Sequence, residues 1–237
     1  MKLSISFFSW RSWHLGGSFS NFSSHPTYAS LQNSNFMQSI TNPEYWEQRY
    51  QEKSDRWDIK QAAPPFATLL QSTTAPPPGR IAVLGCGRGY DALLFAAHQF
   101  EVIGFDFAES AITEAIALAE ASQSSAKFLQ RNIFDLPAEY ENYFDYVLEH
   151  TCFCAIEPAQ RRAYVQLTKS ILKPQGQLIG LFLTHNRPGG PPFGMTPEEI
   201  RHYFQTDFQI HSLIPVTNSI PERQGEEHLG RFSVVKN

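Results

Sequence analysis

The chain has 237 residues, of which 42% are hydrophobic and 18% are charged. At about 150 residues per domain, this length predicts one large domain with additional segments. The formal net charge is −4, from 19 Lys and Arg against 23 Asp and Glu. This composition excludes a disordered or coiled-coil chain, and it argues against a nucleic-acid partner that is bound by bulk positive charge.

The first 36 residues differ from the rest because they contain no Asp or Glu and only two strong cations. Their apolar stretch, Leu3–Trp10, is too short for a membrane span and too polar for a secretory signal. Three interpretations remain open: sequence that precedes a start at Met37, an organellar targeting segment, or a flexible arm. We expect a leader over residues 1–40 and a folded domain over residues 41–237.

Three cysteines are present: Cys86, Cys152 and Cys154. Their odd number and irregular spacing predict no disulfide framework, which favours a cytoplasmic location unless the leader directs the chain to an organelle. One residue separates Cys152 from Cys154, which is too few for the usual zinc spacing, so we expect no metal site. The alternative role for these two side chains is to fill the core as small apolar groups.

Predicted helices and strands alternate from Thr41 onward, and this pattern is typical of βαβ units in a mostly parallel sheet. A Pro-Gln-Gly turn is expected at residues 174–176 and a loop through residues 135–137. The predicted strands are 80–84, 101–105, 127–130, 144–148, 177–183, 208–213 and 232–235. The predicted helices begin at Asn42-Pro43 and lie over 62–70, 90–99, 110–121, 158–172 and 197–204.

A glycine turn, Gly85–Gly89, connects the first predicted strand to an apolar helix. Such a turn lets the backbone approach a ligand at the N-terminus of the helix. The glycines follow G-x-G-x-G spacing, whereas a dinucleotide fingerprint requires G-x-G-x-x-G. Asp106 ends the next strand, where a carboxylate can accept both hydroxyls of a ribose. Together these features favour S-adenosylmethionine over a nicotinamide cofactor, with Gly85, Gly87 and Asp106 in contact with it.

Asn132 and Ile133 follow the third predicted strand. An amide side chain and a backbone N–H at this place can recognise an adenine ring. The alternative role for Asn132 is to cap a turn.

Four separated segments resemble the thiopurine S-methyltransferase superfamily, and especially its bacterial and plant thiol and halide methyltransferase branch. The first is Tyr45-Trp46-Glu47 with Trp57-Asp58, and the second is the run from Leu148 to Pro158, LEHTCFCAIEP. The other two are GGPPF at residues 189–193 and IPERQGEEHLGR at residues 220–231. The resemblance covers residues 41–237.

This resemblance implies a class I methyltransferase-like α/β fold, with helices on both faces of a seven-stranded, mostly parallel sheet whose last strand is antiparallel. It also implies methyl transfer from S-adenosylmethionine to a small soft nucleophile such as a thiol, bisulfide, a halide or thiocyanate. By position, Trp46, Tyr50 and Trp57 would close over the sulfonium, and Gly85 and His150 would contact the methionine part. The chain has Asn132 where Asp is more usual.

The expected substrate pocket contains Phe153, Pro192, Phe193 and Arg223, with core packing or surface ion pairing as the alternatives. His150 could take a proton from a thiol, or it could be an ordinary hydrogen-bonded histidine at a strand end. Competing readings are another small-molecule S, N or O acceptor, a nicotinamide oxidoreductase and a non-catalytic cofactor-binding scaffold. We expect a small-molecule partner, no nucleic acid and no membrane, and the sequence is compatible with a monomer.

Overall fold

A computed structural model describes residues 40–235, so the expected leader lies almost entirely outside the described residues. The strands are β1 Arg80–Leu84, β2 Glu101–Asp106, β3 Lys127–Gln130, β4 Phe144–His150, β5 Leu172–Leu183, β6 Phe208–Pro215 and β7 Glu227–Val234. The helices are α1 Pro43–Gln51, α2 Pro64–Gln71, α3 Tyr90–Ala97, α4 Glu109–Ala121, α5 Leu136–Tyr140, α6 Arg161–Ile171 and α7 Pro197–Phe204.

One seven-stranded sheet has the order β3-β2-β1-β4-β5-β7-β6. Strands β1 to β5 pair in parallel, and β7 is antiparallel to both β5 and β6. This arrangement confirms the predicted fold class, including the antiparallel last strand. The strand order reverses between β1 and β4, which is where ligands bind in open α/β sheets.

Helices cover both faces because the buried strand residues alternate between two apolar clusters. Ile81 and Val83 of β1 face the cluster that includes residues of α2, α3 and α4. Ala82 and Leu84 face the other cluster, which includes residues of α5, α6 and α7. This period of two is what a strand covered on both sides requires.

The three largest differences from the prediction lie at β5, at β7 and in the loop before β4. Strand β5 begins at Leu172, directly after helix α6 ends. Residues 173–176, where the sequence predicts a turn, belong to the strand and coincide with an irregularity in its register with β4. Strand β7 begins at Glu227 rather than Phe232, because residues 227–231 already pair with β5, from Leu183 back to Ile179. A short helix, α5, occupies part of the predicted loop.

Gly89 provides a test of how tightly the glycine turn packs. Its φ of +80° is in the left-handed region, and an added Cβ would lie 2.6 Å from the Phe128 ring. Gly225 has the same φ of +80° with nothing within 4 Å, so it is a matched control. Gly225→Ala should cost about 1 kcal/mol from backbone conformation alone.

Gly89→Ala should cost about 1–3 kcal/mol more than Gly225→Ala, because the ring must move in a packed core. Urea unfolding of both full-length variants measures the difference. Equal losses of unfolding free energy would contradict the close contact with Phe128.

Candidate active site

A cavity of about 790 Å³ opens at the carboxyl ends of the central strands. Gly85 after β1, Asp106 at the end of β2 and Thr151 after β4 all line it. The cavity therefore lies at the reversal of strand order, and its volume is in the range of about 300–1,000 Å³ that is usual for ligand sites.

The Asp106 carboxylate holds the glycine turn against the end of β2. One of its oxygens accepts a hydrogen bond from the Gly87 N–H at 2.9 Å, and the other accepts from the Ala108 N–H at 3.0 Å. Burial raises the pKa of Asp106, and these two N–H groups oppose that effect. Each carboxylate oxygen has more than one acceptor site, so Asp106 retains capacity for hydroxyl donors in the cavity.

Arg88, at the centre of the same turn, connects it to the loop that carries Trp57. Its guanidinium pairs with Asp55, with Asp58 at 2.7 Å and with Glu114 on α4. Burial opposes the charge, but these three carboxylates raise the pKa of Arg88. The loop after α1 is consequently fixed over the glycine turn by several charge-assisted hydrogen bonds.

Three aromatic residues form one wall of the cavity. Trp46 and Trp57 pack edge to face with ring centroids 5.4 Å apart, and Tyr50 and Trp57 do so at 5.6 Å. The Trp57 indole N–H also donates to the Tyr50 hydroxyl at 3.3 Å. All three residues line the cavity, so the structure brings together the aromatic set that the resemblance implies.

Asn132, Ile133 and Phe134 line the opposite part of the cavity. The Asn132 side-chain oxygen accepts from the Phe134 N–H at 3.0 Å and caps a short 3₁₀ turn. The capping alternative therefore holds for Asn132. The predicted contact with the adenine amino group would use the same oxygen, which has a second acceptor site, so the cap does not exclude it.

His150 lies at the end of β4 but does not line the large cavity. It borders a smaller space of about 60 Å³ beside the glycine turn. Its Nδ1 lies 2.7 Å from Asp91 Oδ2 and its Nε2 lies 2.8 Å from Arg223 Nη1. Because both ring nitrogens have partners, this arrangement favours the hydrogen-bonded histidine over a base that takes a proton from a thiol.

The expected substrate pocket divides into two groups. Pro192 and Arg223 line the cavity. Phe153 is fully buried, and its ring packs against Tyr164 with centroids 5.1 Å apart, so it belongs to the core rather than to the cavity wall. Its position follows from the backbone, since the Phe153 N–H donates to the buried Glu149 carboxylate at 2.8 Å.

Phe193 is likewise absent from the cavity wall, whereas the preceding Pro191 and Pro192 are in it. The Phe193 N–H donates to the Cys154 carbonyl at 2.7 Å. This bond connects the loop after β5 to the segment after β4, and it presents the prolines to the cavity.

Two thiols, those of Cys152 and Cys154, lie in the wall of the cavity. Cys154 is 3% exposed, as expected for a small apolar core residue. Burial raises the pKa of Cys152, and it raises the pKa of Cys154 to about 12. Both side chains are therefore neutral thiols that add apolar, polarisable surface.

Sequence analysis missed Arg88, Asp91 and Glu47. The Glu47 carboxylate accepts from the Ser110 N–H at 2.9 Å at the start of α4, which attaches α1 to the core. Glu47 belongs to the first of the four family-like segments, and Arg88 lies inside the glycine turn, so the sequence marked the positions of both as functional. Asp91 carried none, because its partner His150 is 59 positions away.

The model of the thiopurine S-methyltransferase family matches residues 41–234. The chain belongs to this family. The membership confirms the expected S-adenosylmethionine-dependent methyltransferase and its cofactor, and it removes the nicotinamide oxidoreductase from consideration. The residues of the cavity fit that cofactor, since a glycine turn, a buried carboxylate and an aromatic wall converge there.

Relatives with a known name include thiocyanate methyltransferase 1 of Arabidopsis thaliana, 33% identical over 80% of this chain and 84% of the relative. A thiopurine S-methyltransferase of Legionella pneumophila is 26% identical over 71% and 83%. Among solved structures, the 1,6-didemethyltoxoflavin-N1-methyltransferase of Burkholderia thailandensis has a TM-score of 0.66 at 18% identity, covering 92% of this chain and 94% of that one.

Asp106→Asn tests the cofactor side of the cavity. The variant loses one charged acceptor, and hydrogen bonds to charged groups contribute about 1.5–3 kcal/mol, so affinity for S-adenosylhomocysteine should fall by about 10- to 100-fold. Isothermal titration calorimetry measures this change. Asp135→Asn, an exposed residue of the neighbouring turn, is the matched control. Unchanged affinity in Asp106→Asn would remove Asp106 from the binding site.

Proposed function

We propose that this chain transfers a methyl group from S-adenosylmethionine to a small, soft anion such as thiocyanate, bisulfide, a thiolate or a halide. The observation that carries the proposal is a single cavity lined both by the aromatic wall with Asp106, which we assign to the methyl donor, and by apolar side chains, which we assign to the acceptor. The names of the Arabidopsis relatives, thiocyanate methyltransferase and probable thiol methyltransferase, support the same acceptor class.

The donor part is suited to a nucleoside attached to a cation. Asp106 would accept the ribose hydroxyls, and Asn132 with Ile133 would contact the adenine. Gly85 and Gly87 would leave room for the methionine part, and the aromatic wall would face the sulfonium. Aromatic faces attract cations by about 0.5–2 kcal/mol, and more where water is excluded.

We assign the apolar lining residues outside the aromatic wall to the acceptor part. Ala155, Ile156, Leu183 and the two prolines of the loop after β5 line it together with the neutral thiols. Arg187 at the rim is paired with Glu226 at 2.8 Å, so its charge is largely compensated. S-adenosylmethionine supplies an activated methyl group on a sulfonium, and an apolar pocket favours its transfer to an anion by removing water from the nucleophile.

No histidine is among the residues that line the large cavity within the described part of the chain. Its thiols are held neutral by burial. We therefore infer that the protein receives its acceptor already as an anion, and that positioning and desolvation supply the rate enhancement.

We infer a cytoplasmic enzyme that acts as a monomer on small molecules, without a nucleic-acid partner. Among the described residues, only Ile116 and Ile214 are exposed large hydrophobic residues, which leaves no broad apolar surface for association. Within residues 40–235, no helix is long and apolar enough to cross a membrane.

The acceptor assignment is tested with the full chain, S-adenosylmethionine and each of thiocyanate, bisulfide and iodide. Headspace gas chromatography should detect methyl thiocyanate, methanethiol and iodomethane, with higher kcat/KM than for 6-mercaptopurine. At saturating cofactor, the rate with iodide should not change from pH 6 to 9. The rate with a cysteine-like thiol should rise with pH as the thiolate forms, around the cysteine pKa of about 8.5.

Turnover of 6-mercaptopurine alone would contradict the small-anion assignment and leave thiopurines as the acceptor class. Binding of the cofactor without turnover of any acceptor would favour the scaffold reading instead.

Trp46→Leu tests the cation-facing role of the aromatic wall. The substitution should weaken binding of S-adenosylmethionine by about 2- to 30-fold more than binding of S-adenosylhomocysteine, because only the former has a positively charged sulfur that faces the ring. Paired calorimetric titrations measure both affinities. Tyr45→Leu is the control, since Tyr45 is on the same helix but outside the cavity wall. Equal losses for both ligands would reduce Trp46 to a packing role.

A further inference from the structure

Three side chains and one carbonyl form a continuous hydrogen-bonded chain beside the cofactor cavity. Asp91 on α3 contacts His150 at the end of β4 at 2.7 Å, and His150 contacts Arg223 at 2.8 Å. The other terminal nitrogen of Arg223 donates to the Trp57 carbonyl at 2.7 Å. We call Asp91, His150, Arg223 and the Trp57 carbonyl the His150 relay.

The direction of each hydrogen bond in the relay follows from Arg223. A guanidinium has donors only, so His150 Nε2 must present its lone pair at 2.8 Å from Arg223 Nη1. The remaining ring proton is therefore on Nδ1 and is donated to Asp91. This arrangement requires a neutral imidazole with one defined tautomer.

The Trp57 end of the His150 relay belongs to the aromatic wall of the cavity. Trp57 belongs to the loop between α1 and α2, and its ring packs against Trp46 and Tyr50. Arg88 holds this loop on the side of the glycine turn, and Arg223 holds its backbone at Trp57 itself. Asp91 also accepts from the Ala63 N–H at 2.7 Å, which fixes the end of the loop at α2.

Three charged groups face the His150 ring: Asp91 from α3, Arg223 from the turn before β7, and Glu227 from β7. Glu227 Oε1 lies 3.7 Å from His150 Nε2 and 3.2 Å from Arg223 Nη1. A second proton on the ring would put an N–H donor against the Arg223 donor, and the nearest acceptor for it is Glu227. Protonation therefore breaks the contact between His150 and Arg223.

We infer that His150 is a positioning residue: in its neutral form it holds Arg223, which holds the Trp57 backbone against the cofactor cavity, and its protonation weakens cofactor binding. The inference rests on the proposed function in one respect: its test measures the affinity for S-adenosylhomocysteine, the product of the proposed cofactor. Burial disfavours the charged ring, yet Asp91 and Glu227 raise the pKa of His150 to about 9. The tighter-binding form is consequently the one at high pH.

The experiment measures affinity for S-adenosylhomocysteine by calorimetry from pH 6.5 to 10 with the full chain. The wild type should gain about tenfold in affinity as pH rises, the fold-change that one hydrogen bond to a charged group contributes. His150→Leu should bind weakly at every pH. His150→Gln can still accept from Arg223 but cannot be protonated, so it should recover most of the lost affinity without the pH dependence.

His211→Gln is the control, because His211 is exposed on β6 and, among residues 40–235, its side chain bonds only to Ser233 at 2.8 Å. A pH dependence that persists in His150→Gln, or tight binding by His150→Leu, would overturn the inference. If His150→Leu does not fold, as judged by circular dichroism, the comparison of wild type with His150→Gln still decides.

Nitrogen-15 NMR of the histidine rings separates this inference from the proposed function. The relay requires the Nδ1–H tautomer of His150 at high pH whether or not a ligand is present, and the Nε2–H tautomer would overturn it. If the Nδ1–H tautomer is found and the cofactor product binds at no pH, the proposed function fails while the relay stands.

Discussion

The site depends on one constraint: the backbone after β1 must turn sharply away from the cavity and still be held rigidly. Gly85, Gly87 and Gly89 all have positive φ, which allows the turn. The Asp106 carboxylate then accepts the Gly87 N–H at 2.9 Å and fixes the turn to β2. A turn of this kind without such an acceptor would expose unpaired N–H groups beside the cavity.

The remaining parts of the site attach to this turn. Arg88 brings the loop with Trp57 to it, and Asp91 brings His150 and, through it, Arg223. The aromatic wall therefore has two anchors that both originate within three residues of the turn's last glycine. This geometry places the groups that face a sulfonium next to the backbone that accommodates the rest of the cofactor.

The sequence was sufficient to predict the parallel sheet, because short apolar runs alternate with helical segments and each run is bounded by Gly, Pro or polar residues. It failed at β5, since Pro174 and Gly176 predict a turn that the sheet accommodates as an irregularity opposite β4. It also failed at the start of β7, where charged Glu227 is 2% exposed because its ion pair with Arg223 is buried. Arg223 is only four residues from Glu227, but the local sequence does not show that distant residues, His150 and the Trp57 carbonyl, surround and bury the pair.

The candidate site was predictable where function depends on local spacing and not where it depends on distant partners. The glycine turn and Asp106 follow one another along the chain, and the structure brings them together as expected. From the sequence, Phe153 cannot be distinguished from an aromatic residue that lines a pocket. In the structure, its N–H donates to the buried Glu149 carboxylate, and the ring lies in the core. Arg223 shows the same limit, because its partners lie 73 and 166 positions away.

A crystal structure with S-adenosylhomocysteine and thiocyanate would show whether one cavity holds the methyl donor and a small anion in line. We expect the ribose hydroxyls on Asp106, the sulfur against the wall of Trp46, Tyr50 and Trp57, and thiocyanate in the apolar part beside Pro192. An adenosine outside this cavity, or thiocyanate bound only at the charged rim, would contradict this expectation.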